Sequence, residues 1–382
     1  MTDLNLSRSV GTFPVPVVWD GLGLGSPHSG VGFYGRKLFT ALQQYQLQPF
    51  VTSTSDTRIE FVPKEQWIPV PYAGWAGEFL KKPTSFKLTE SKPIYPIISY
   101  SAATKRHQKI IYHGLSNLNL PCYLPKRAQD RFVLTVHDII PIITKKMSSL
   151  SLQMRVLLPR AVKIADAIIV PSKWTRDGLV QLYGESAERK IIIIPNGTDS
   201  TGRASSKTMG EQLKNTNDIL IVARGESYKR LHFAVNVANR LPNRSFTMVT
   251  DKRGAESLTD VPRNLKILVG VGAQELDDLY VTSRIFMHPA LYEGWCLPAA
   301  DALINGLPVV FTSGSGIDEV CSYAKDQTTA MRPEDDDSAW AEAVKAALEK
   351  YDRQPGSAQT VVKLPTWGDC AEKTLKIYQS LL

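Results

Sequence analysis

Between Ile285 and Val320 the chain reads IFMHPALYEGWCLPAADALINGLPVVFTSGSGIDEV, and few folds accommodate such a run. It opens on a short apolar stretch, Ile285-Phe286-Met287, and continues into a loop, His288 to Cys296, that holds a single carboxylate, Glu293. Leu297-Pro298 then begins a segment whose apolar positions, Ala299, Ala302 and Leu303, recur at helical spacing. Gly306 stops that helix at its C′ position. Leu307-Pro308 leads into a second apolar stretch, Val309-Val310-Phe311, and a glycine-containing loop, Ser313 to Gly316, follows. Strand, loop, helix, glycine, strand is a βαβ unit, which requires a parallel sheet. The loops after its strand ends would line the crevice where open parallel sheets bind ligands.

Glu293 and Asp301 are eight positions apart, one in the loop and one in the helix. At 1.5 Å per helical residue they stand roughly 10 Å apart or a little more. Carboxylates so spaced do not share a proton; they suit two ends of one extended ligand. The free amides around Trp295, Cys296 and Leu297, at the helix start, suit an anion. The run resembles the donor-sugar motif of family 4 retaining glycosyltransferases, a Glu followed after seven residues by a second Glu. Its usual frame is present as Pro289, Tyr292-Glu293-Gly294-Trp295, Leu297-Pro298 and Gly306-Leu307-Pro308-Val309-Val310. Asp301 stands where the family usually has the second Glu, and Cys296 where it usually has Gly. The resemblance implies that Glu293 binds the transferred sugar and Asp301 the ribose of a nucleotide-sugar donor.

At 382 residues the chain exceeds one comfortable core and implies two domains. No apolar run approaches ~18 residues, so no membrane span is expected. The N-terminal MTDLNLSRSVGTF lacks the basic-then-apolar layout of a signal peptide. Cys122, Cys296, Cys321 and Cys370 show no paired spacing, which argues against a disulfide framework or a zinc site. A cytoplasmic protein is expected. The net charge of +8 is unevenly placed: residues 1–199 hold 24 Lys and Arg against 14 Asp and Glu, the remainder 21 against 23. A basic first half predicts an anionic partner there, a phospholipid surface or a pyrophosphate-linked acceptor. Nucleic acid is not expected, because no recognition-helix, zinc-finger or RNP-like pattern accompanies the charge.

Val15 to Trp19 reads as a first strand, followed by a glycine-rich loop, Asp20 to Gly32, into an amphipathic helix bearing Phe33, Leu38, Ala41 and Leu42. Gly30 and Gly32 before that helix let backbone approach a phosphate or sugar, and the placement resembles the family's N-terminal glycine loop, which reaches the donor. Residues 50–110 mix short strands, proline-bounded turns such as Ile68-Pro69-Val70-Pro71, and an aromatic patch of Trp67, Tyr72, Trp75, Phe79 and Phe86. Lys81, Lys82, Lys87, Lys105 and Arg106 are interleaved, a mixture suited to sugar stacking or peripheral contact with an anionic membrane. Ile110 to Ser116 and Arg131 to Asp138 read as parallel strands with polar ends, the second continuing as TVHDIIP. That phrase resembles the His-Asp-x-x-Pro of bacterial family 4 members, mannosyltransferases among them. It implies that His137 contacts the transferred sugar or β-phosphate and that Asp138 orients the sugar or the acceptor hydroxyl. His113 is a second strand-end candidate of the same kind.

A buried strand, Ala167 to Val170, a helix opened by Ser172 as N-cap, and a strand ending IIIIPNGTD complete the first domain, 1–199. A second Rossmann-like unit, 200–365, starts afresh with the strand Asp218 to Arg224 and a turn into a helix at Leu231. Arg224 and Lys229 flank that turn, and two cations beside helix amides make a diphosphate clamp; the pair also resembles the family's Arg…Lys. The turn at Gly270-Val271-Gly272 could receive a nucleobase edge on its backbone, as in relatives. A helix at 366–382, beginning near Trp367, resembles the family's terminal helix, which crosses back to the first domain. The fold expected is α/β of the GT-B type, two doubly wound Rossmann-like domains facing across a cleft.

The expected activity is retaining transfer of a sugar, mannose from GDP-mannose by the TVHDIIP resemblance, to a glycan or lipid-linked acceptor in bacterial surface polysaccharide synthesis. The resemblance implies that no divalent metal or other cofactor is needed, since the two cations and the helix amides would stabilise the departing diphosphate. The alternatives are a UDP-sugar donor, or a non-catalytic nucleotide-sugar or glycan-binding protein. A glycosidase would need two carboxylates roughly 5–9.5 Å apart across one bond, and a dehydrogenase would need Gly-x-Gly-x-x-Gly directly after the first strand with an acid ~20 residues on; neither layout is present.

Overall fold

The computed structural model describes residues 13–25, 29–54, 59–70, 94–144, 149–199, 217–353 and 362–382. In chain order the strands and helices are β1 (Val17–Trp19), α1 (Gly30–Gln43), β2 (Phe50–Thr54), β3 (Trp67–Val70), α2 (Tyr95–Arg106), β4 (Ile111–Gly114), β5 (Arg131–Thr135), α3 (Ile140–Ile143), α4 (Ser149–Ile164), β6 (Ala167–Val170), α5 (Lys173–Tyr183), α6 (Glu185–Glu188) and β7 (Ile191–Ile193). They continue as β8 (Asn217–Val222), α7 (Leu231–Arg240), β9 (Phe246–Thr250), α8 (Lys252–Ser257), β10 (Leu265–Val269), α9 (Ala273–Thr282), β11 (Ser283–His288), α10 (Leu297–Ile304), β12 (Val309–Thr312), α11 (Ile317–Cys321), β13 (Thr328–Met331), α12 (Asp337–Arg353) and α13 (Trp367–Ser380).

Two compact units result, and the chain passes between them at Val170–Pro171, Thr175–Arg176, Ile194–Pro195 and Thr366–Trp367. The expected boundary after residue 199 therefore moves to 194. Thr198 explains the shift: its N–H and its hydroxyl both donate to Pro365 O, at 2.8 and 3.1 Å, and it bridges to Thr366. The first unit carries a seven-stranded sheet ordered β3-β2-β1-β4-β5-β6-β7, and the second a six-stranded sheet ordered β10-β9-β8-β11-β12-β13. Every strand pair is parallel. Each unit is a doubly wound Rossmann-like domain, and the pair is the GT-B fold.

Parallel sheets need both faces covered, and the period of two along a strand supplies apolar groups to each. In β8, Ile219 and Ile221 pack with Trp340, Val344 and Leu348 of α12 and with α7. Leu220 between them joins Phe286, Phe311, Ala299 and Leu303 on the other face. Gly306 ends α10 with φ 77°, as expected for a C′ glycine. Leu307 N–H donates to Ala302 O and Gly306 N–H to Leu303 O, the paired bonds of a Schellman motif. The Ile68-Pro69-Val70 stretch, expected as a turn, is instead β3. Its proline is tolerated because β3 is the edge of the sheet and needs no second ladder. Helix α2 was not expected; its sequence, YPIISYSAATKR, is rich in Ser, Thr and Tyr, which are weak helix formers. No described helix is long and apolar enough to cross a membrane.

The first sheet reverses its order between β1 and β4, and a fully buried carboxyl, Asp20, sits there. Leu22 N–H and Asn119 Nδ2 each donate to its Oδ1 at 2.9 Å, and Tyr112 OH donates to Oδ2 at 2.8 Å. Burial nevertheless dominates and pushes the carboxyl from 3.8 up to about 7. A raised folded value means that the native state holds a proton the unfolded chain has lost. Stability should therefore fall as pH rises from about 4 towards 7 through this group. Asp20→Asn is expected to flatten that limb in chemical denaturation series, and an unchanged slope would show the carboxyl to be ionised throughout.

Candidate active site

The second sheet reverses its order between β8 and β11, so the loops leaving those two strands emerge side by side. Leu291 N–H donates to Tyr228 O at 2.8 Å and fastens one to the other. On the first loop, Lys229 ends a single 3-10 turn, Ser227–Lys229, and Arg230 takes a left-handed φ of 55° before α7. This places Lys229 Nζ 2.5 Å from Glu293 Oε1, with the two side chains only 14% and 11% exposed. His288, the last residue of β11, brings Nε2 to 2.6 Å from the same oxygen.

Burial alone would push Glu293 up. The Lys229 charge, followed by the hydrogen bond and charge of His288, outweighs it and holds the carboxyl down at about 2. Lys229 feels the same balance with opposite sign: burial pulls its ammonium down, and the Glu293 charge lifts it above the usual lysine range. Both partners are therefore ionised at neutral pH, and His288 Nε2 must carry a proton to donate to a carboxylate. Among the described residues neither His288 Nδ1 nor Trp295 Nε1 finds a partner, although both are buried. His288 was missed in the sequence reading. The available signal was a histidine at a strand's carboxyl end, five residues before the motif carboxylate.

The loop after β12 holds Glu293 from behind. Ser315 Oγ accepts from Glu293 N–H at 3.1 Å, and Gly316 N–H donates to Glu293 O at 2.9 Å. Asp318 Oδ2 in turn accepts from the amides of Gly314 and Ser315 at 2.6 and 2.9 Å. The approach is so close that a Cβ on Gly316 would lie 2.2 Å from Gly294 O. Cys296, the N-cap of α10, has φ 78° and ψ 75°, a conformation that favours glycine. This is the physical reason a glycine suits that motif position. Burial, then the Glu293 charge, pushes its thiol well above the ordinary range, so it stays protonated.

The other donor-side residues spread around this centre. Arg224 lies just past β8, 59% exposed, with its guanidinium 3.5 Å from Asp251 and 3.7 Å from Glu226. Trp295 is buried and Leu297 partly so at the start of α10. Asp301 lies in α10, partly exposed, about 7 Å along the axis from Cys296. Gly270 follows β10 with φ 73°, and Val271 leads to Gly272, the N-cap of α9.

In the first unit, Gly30 and Gly32 lie in the opening turn of α1, where Ser29 Oγ accepts from Gly32 N–H at 2.9 Å. A Cβ on Gly30 would meet nothing within 4 Å. His137 lies two residues beyond β5. Its N–H donates to Asn117 Oδ1 and its Nε2–H to Leu115 O, both at 2.9 Å, and its ring stands edge-on to Tyr34. Burial lowers its pKa, which keeps the ring neutral. Asp138 Oδ1 accepts from Ile140 N–H at 2.9 Å and closes the turn into α3. His113 differs from the expectation of a second strand-end ligand. It is wholly buried inside β4, 2.6 Å from Tyr378 OH and 2.8 Å from Thr135 Oγ1, and burial holds it down at about 3. It is a structural histidine of the core.

Among the described residues one group could hold a metal ion, His288, Glu293 and Cys296, whose donor atoms all lie within 4.8 Å of one another. The fit is poor. Lys229 already places a full positive charge on the Glu293 oxygen that such an ion would use, and the thiol is strongly biased towards its protonated form.

Two outcomes follow from this geometry. Glu293→Gln leaves the Lys229 ammonium buried without its counter-charge and should cost about 3 kcal/mol of folding stability, with Lys229→Met restoring much of it in the double variant. Wild-type stability owed to this pair is complete above about pH 4.5 and is lost as pH falls through about 2; the Gln variant should lack that acid limb in denaturant titrations. Gly316→Ala should displace the Glu293 loop, lowering turnover at least tenfold with a smaller loss in melting temperature. A fully active Gly316→Ala enzyme would show that the contact is not needed.

A family model described as Glycosyl transferases group 1 matches residues 216–350, and one described as Glycosyltransferase Family 4 matches residues 75–201. O-antigen chain mannosyltransferase B of Escherichia coli is 24% identical over 303 residues, 73% of this chain and 76% of that protein. O-antigen chain mannosyltransferase RfbU of Salmonella typhimurium is 24% identical over 223 residues, 56% of this chain and 59% of that one. Among solved structures, HepE of Anabaena in complex with UDP and glucose aligns with TM-score 0.69 at 14% identity, over 96% of this chain and 100% of that chain. WaaG, a glycosyltransferase involved in lipopolysaccharide biosynthesis, aligns with TM-score 0.67 at 15% identity, over 94% and 99%. With one such model on each half of the chain, the protein is a glycosyltransferase of the GT-B fold that resembles the bacterial mannosyltransferases.

Proposed function

We propose that the protein transfers a mannosyl group from GDP-mannose to a hydroxyl of a glycan or lipid-linked acceptor in bacterial surface polysaccharide synthesis, with retention at the anomeric carbon. The observation that carries this reading is the Lys229–Glu293–His288 cluster at the β8/β11 reversal, where a doubly wound sheet receives its ligand. Mannose rather than another sugar is supported by what the two O-antigen relatives are named for.

In the reaction the bond between the anomeric carbon and the β-phosphate oxygen breaks. The acceptor oxygen bonds to that carbon from the same face, and the acceptor proton passes to the departing phosphate. Charge accumulates on the diphosphate, and preorganised cations are the largest available aid. Arg224 is exposed and within reach of solvent, whereas Lys229 would share its charge between Glu293 and the diphosphate. Glu293, locked in its ionised form, accepts hydrogen bonds from sugar hydroxyls. Asp301 takes the ribose, Gly270 and Val271 the base, and Gly30, Gly32, His137 and Asp138 serve the sugar and acceptor. No metal is required in this scheme.

Thermal-shift titration against GDP, UDP, ADP and their sugars tests the donor. A ligand at a hundred times its Kd stabilises by about 2.7 kcal/mol, and GDP and GDP-mannose should stand apart from the rest. A preference for UDP would overturn the GDP-mannose assignment, and binding without transfer or donor hydrolysis would overturn the enzymatic one. Arg224→Ala should lower turnover roughly a hundredfold at saturating donor with little change in folding. Glu293→Gln should depress turnover while nucleoside diphosphate affinity holds, whereas Asp301→Asn should weaken that affinity itself and Asp301→Glu should restore it. Equal effects of the two substitutions on both quantities would sink the separate roles.

A further inference from the structure

The aromatic and basic segment first considered for membrane contact lies largely outside the described residues: Tyr72, Trp75, Phe79, Lys81, Lys82, Phe86 and Lys87 all do, while Lys105 and Arg106 stand exposed at the end of α2. A different face of the first unit has the required chemistry. The outward positions of α4 are Leu152, Arg155, Val156, Arg160 and Lys163. Steps of three, one, four and three residues keep them on one side of the helix. Leu152 and Val156 are 54% and 45% exposed. Arg155 donates to Ile142 O and so draws the exposed Ile143 of α3 to the same edge. At the other end Arg160 lies over the ring of exposed Tyr123, 5.1 Å from its centre.

A solvated helix face normally carries polar groups of both signs. Here residues 139–165 contain five Lys or Arg and no Asp or Glu. The acids of the adjoining α6, Glu185 and Glu188, are matched by Arg189 and Arg176. Aliphatic and aromatic groups interleaved with cations, in an acid-free stretch, complement an anionic interface whose interior is apolar.

We propose that the α3–α4 face, Ile143, Leu152, Arg155, Val156 and Arg160 with Tyr123, docks on the surface of an anionic phospholipid bilayer. The occupant is a lipid surface rather than a soluble polyanion, because the aliphatic side chains need an apolar phase and a polyanion offers none. Ile143 is five residues past Asp138, at the carboxyl end of β5, so docking holds that end of the sheet next to the membrane. This deepens the transferase reading, on which it rests for its purpose, by selecting a lipid-linked acceptor over a free glycan. The docking itself requires no donor or acceptor.

The test is sedimentation of the full chain with phosphatidylglycerol-containing vesicles and with neutral phosphatidylcholine vesicles, without substrates. Wild type should pellet with the anionic vesicles only and be released by about 0.5 M salt. Leu152→Asp/Val156→Asp and Arg160→Glu/Lys163→Glu should each reduce pelleting about tenfold, with melting temperature and donor hydrolysis unchanged. Hydrogen exchange on the wild type keeps the test decisive should a variant fail to fold: backbone amides of 140–164 should slow when anionic vesicles are added. The proposal is overturned by a wild type that stays in solution, by equal pelleting of the variants, by pelleting without vesicles as a self-associated form, or by unchanged exchange in that segment. Loss of the transferase assignment would leave these readouts standing, and their failure would leave that assignment standing.

Discussion

Glu293 keeps a full charge at a place where burial alone would neutralise it, and it does so because Lys229 and His288 converge on one of its oxygens. Each partner arrives from a different strand end. The fixed hand of βαβ crossovers and the reversal of strand order leave the ends of β8 and β11 adjacent with no crossing connection between them. The third loop, after β12, contributes only backbone and a hydroxyl, yet Gly316 lets it approach closely enough to fix the Glu293 peptide itself. The cluster therefore depends on three loops at once. Removing any one of its charges changes the solvation of the others, which is why the ion pair and the local fold cannot be varied independently.

The parts of this arrangement that were legible in the sequence are those set by periodicity and turn chemistry. Strands of a parallel sheet are apolar on both faces, so Val309 to Phe311 and Ile191 to Ile193 announced themselves, and Gly306 marked the end of α10 through its φ. What sequence could not supply was register. His113 and His137 both looked like strand-end histidines, but His113 pairs with Trp19 and Val133 inside the sheet, whereas His137 lies two residues beyond β5. One is sealed in the core and the other reaches the loops. Lys229 likewise read only as a cation flanking a turn. Its burial depends on Leu291 meeting Tyr228, a contact 63 positions apart in the chain.

The first unit is held by a different kind of network. Trp19 Nε1 donates to Tyr378 OH at 3.0 Å, and that hydroxyl also lies 2.6 Å from His113 Nδ1. A helix from the very end of the chain is thereby built into the sheet's core, alongside α1. Asp20 and Asn119 tie the loop after β1 to the loop after β4 through a parallel set of bonds. Buried polar groups of this kind add little net stability, but an unmatched one costs about 1–3 kcal/mol.

The charge asymmetry of the chain acquires a more exact meaning from the ion pairs. Part of the first unit's positive charge is committed internally: Lys126 to Asp166, Arg127 to Asp130, Arg176 to Glu188. Those cations orient side chains and close loops, and they offer little field to an outside partner. Arg155, Arg160 and Lys163 make no ion pair among the described residues, and their hydrogen bonds, where present, go to carbonyls or a phenol. Net charge over a domain therefore overstates what a ligand would feel, while its distribution over a few helix turns understates nothing. Among the described residues, unpaired cations stand on α4 and, as Lys105 and Arg106, at the end of α2.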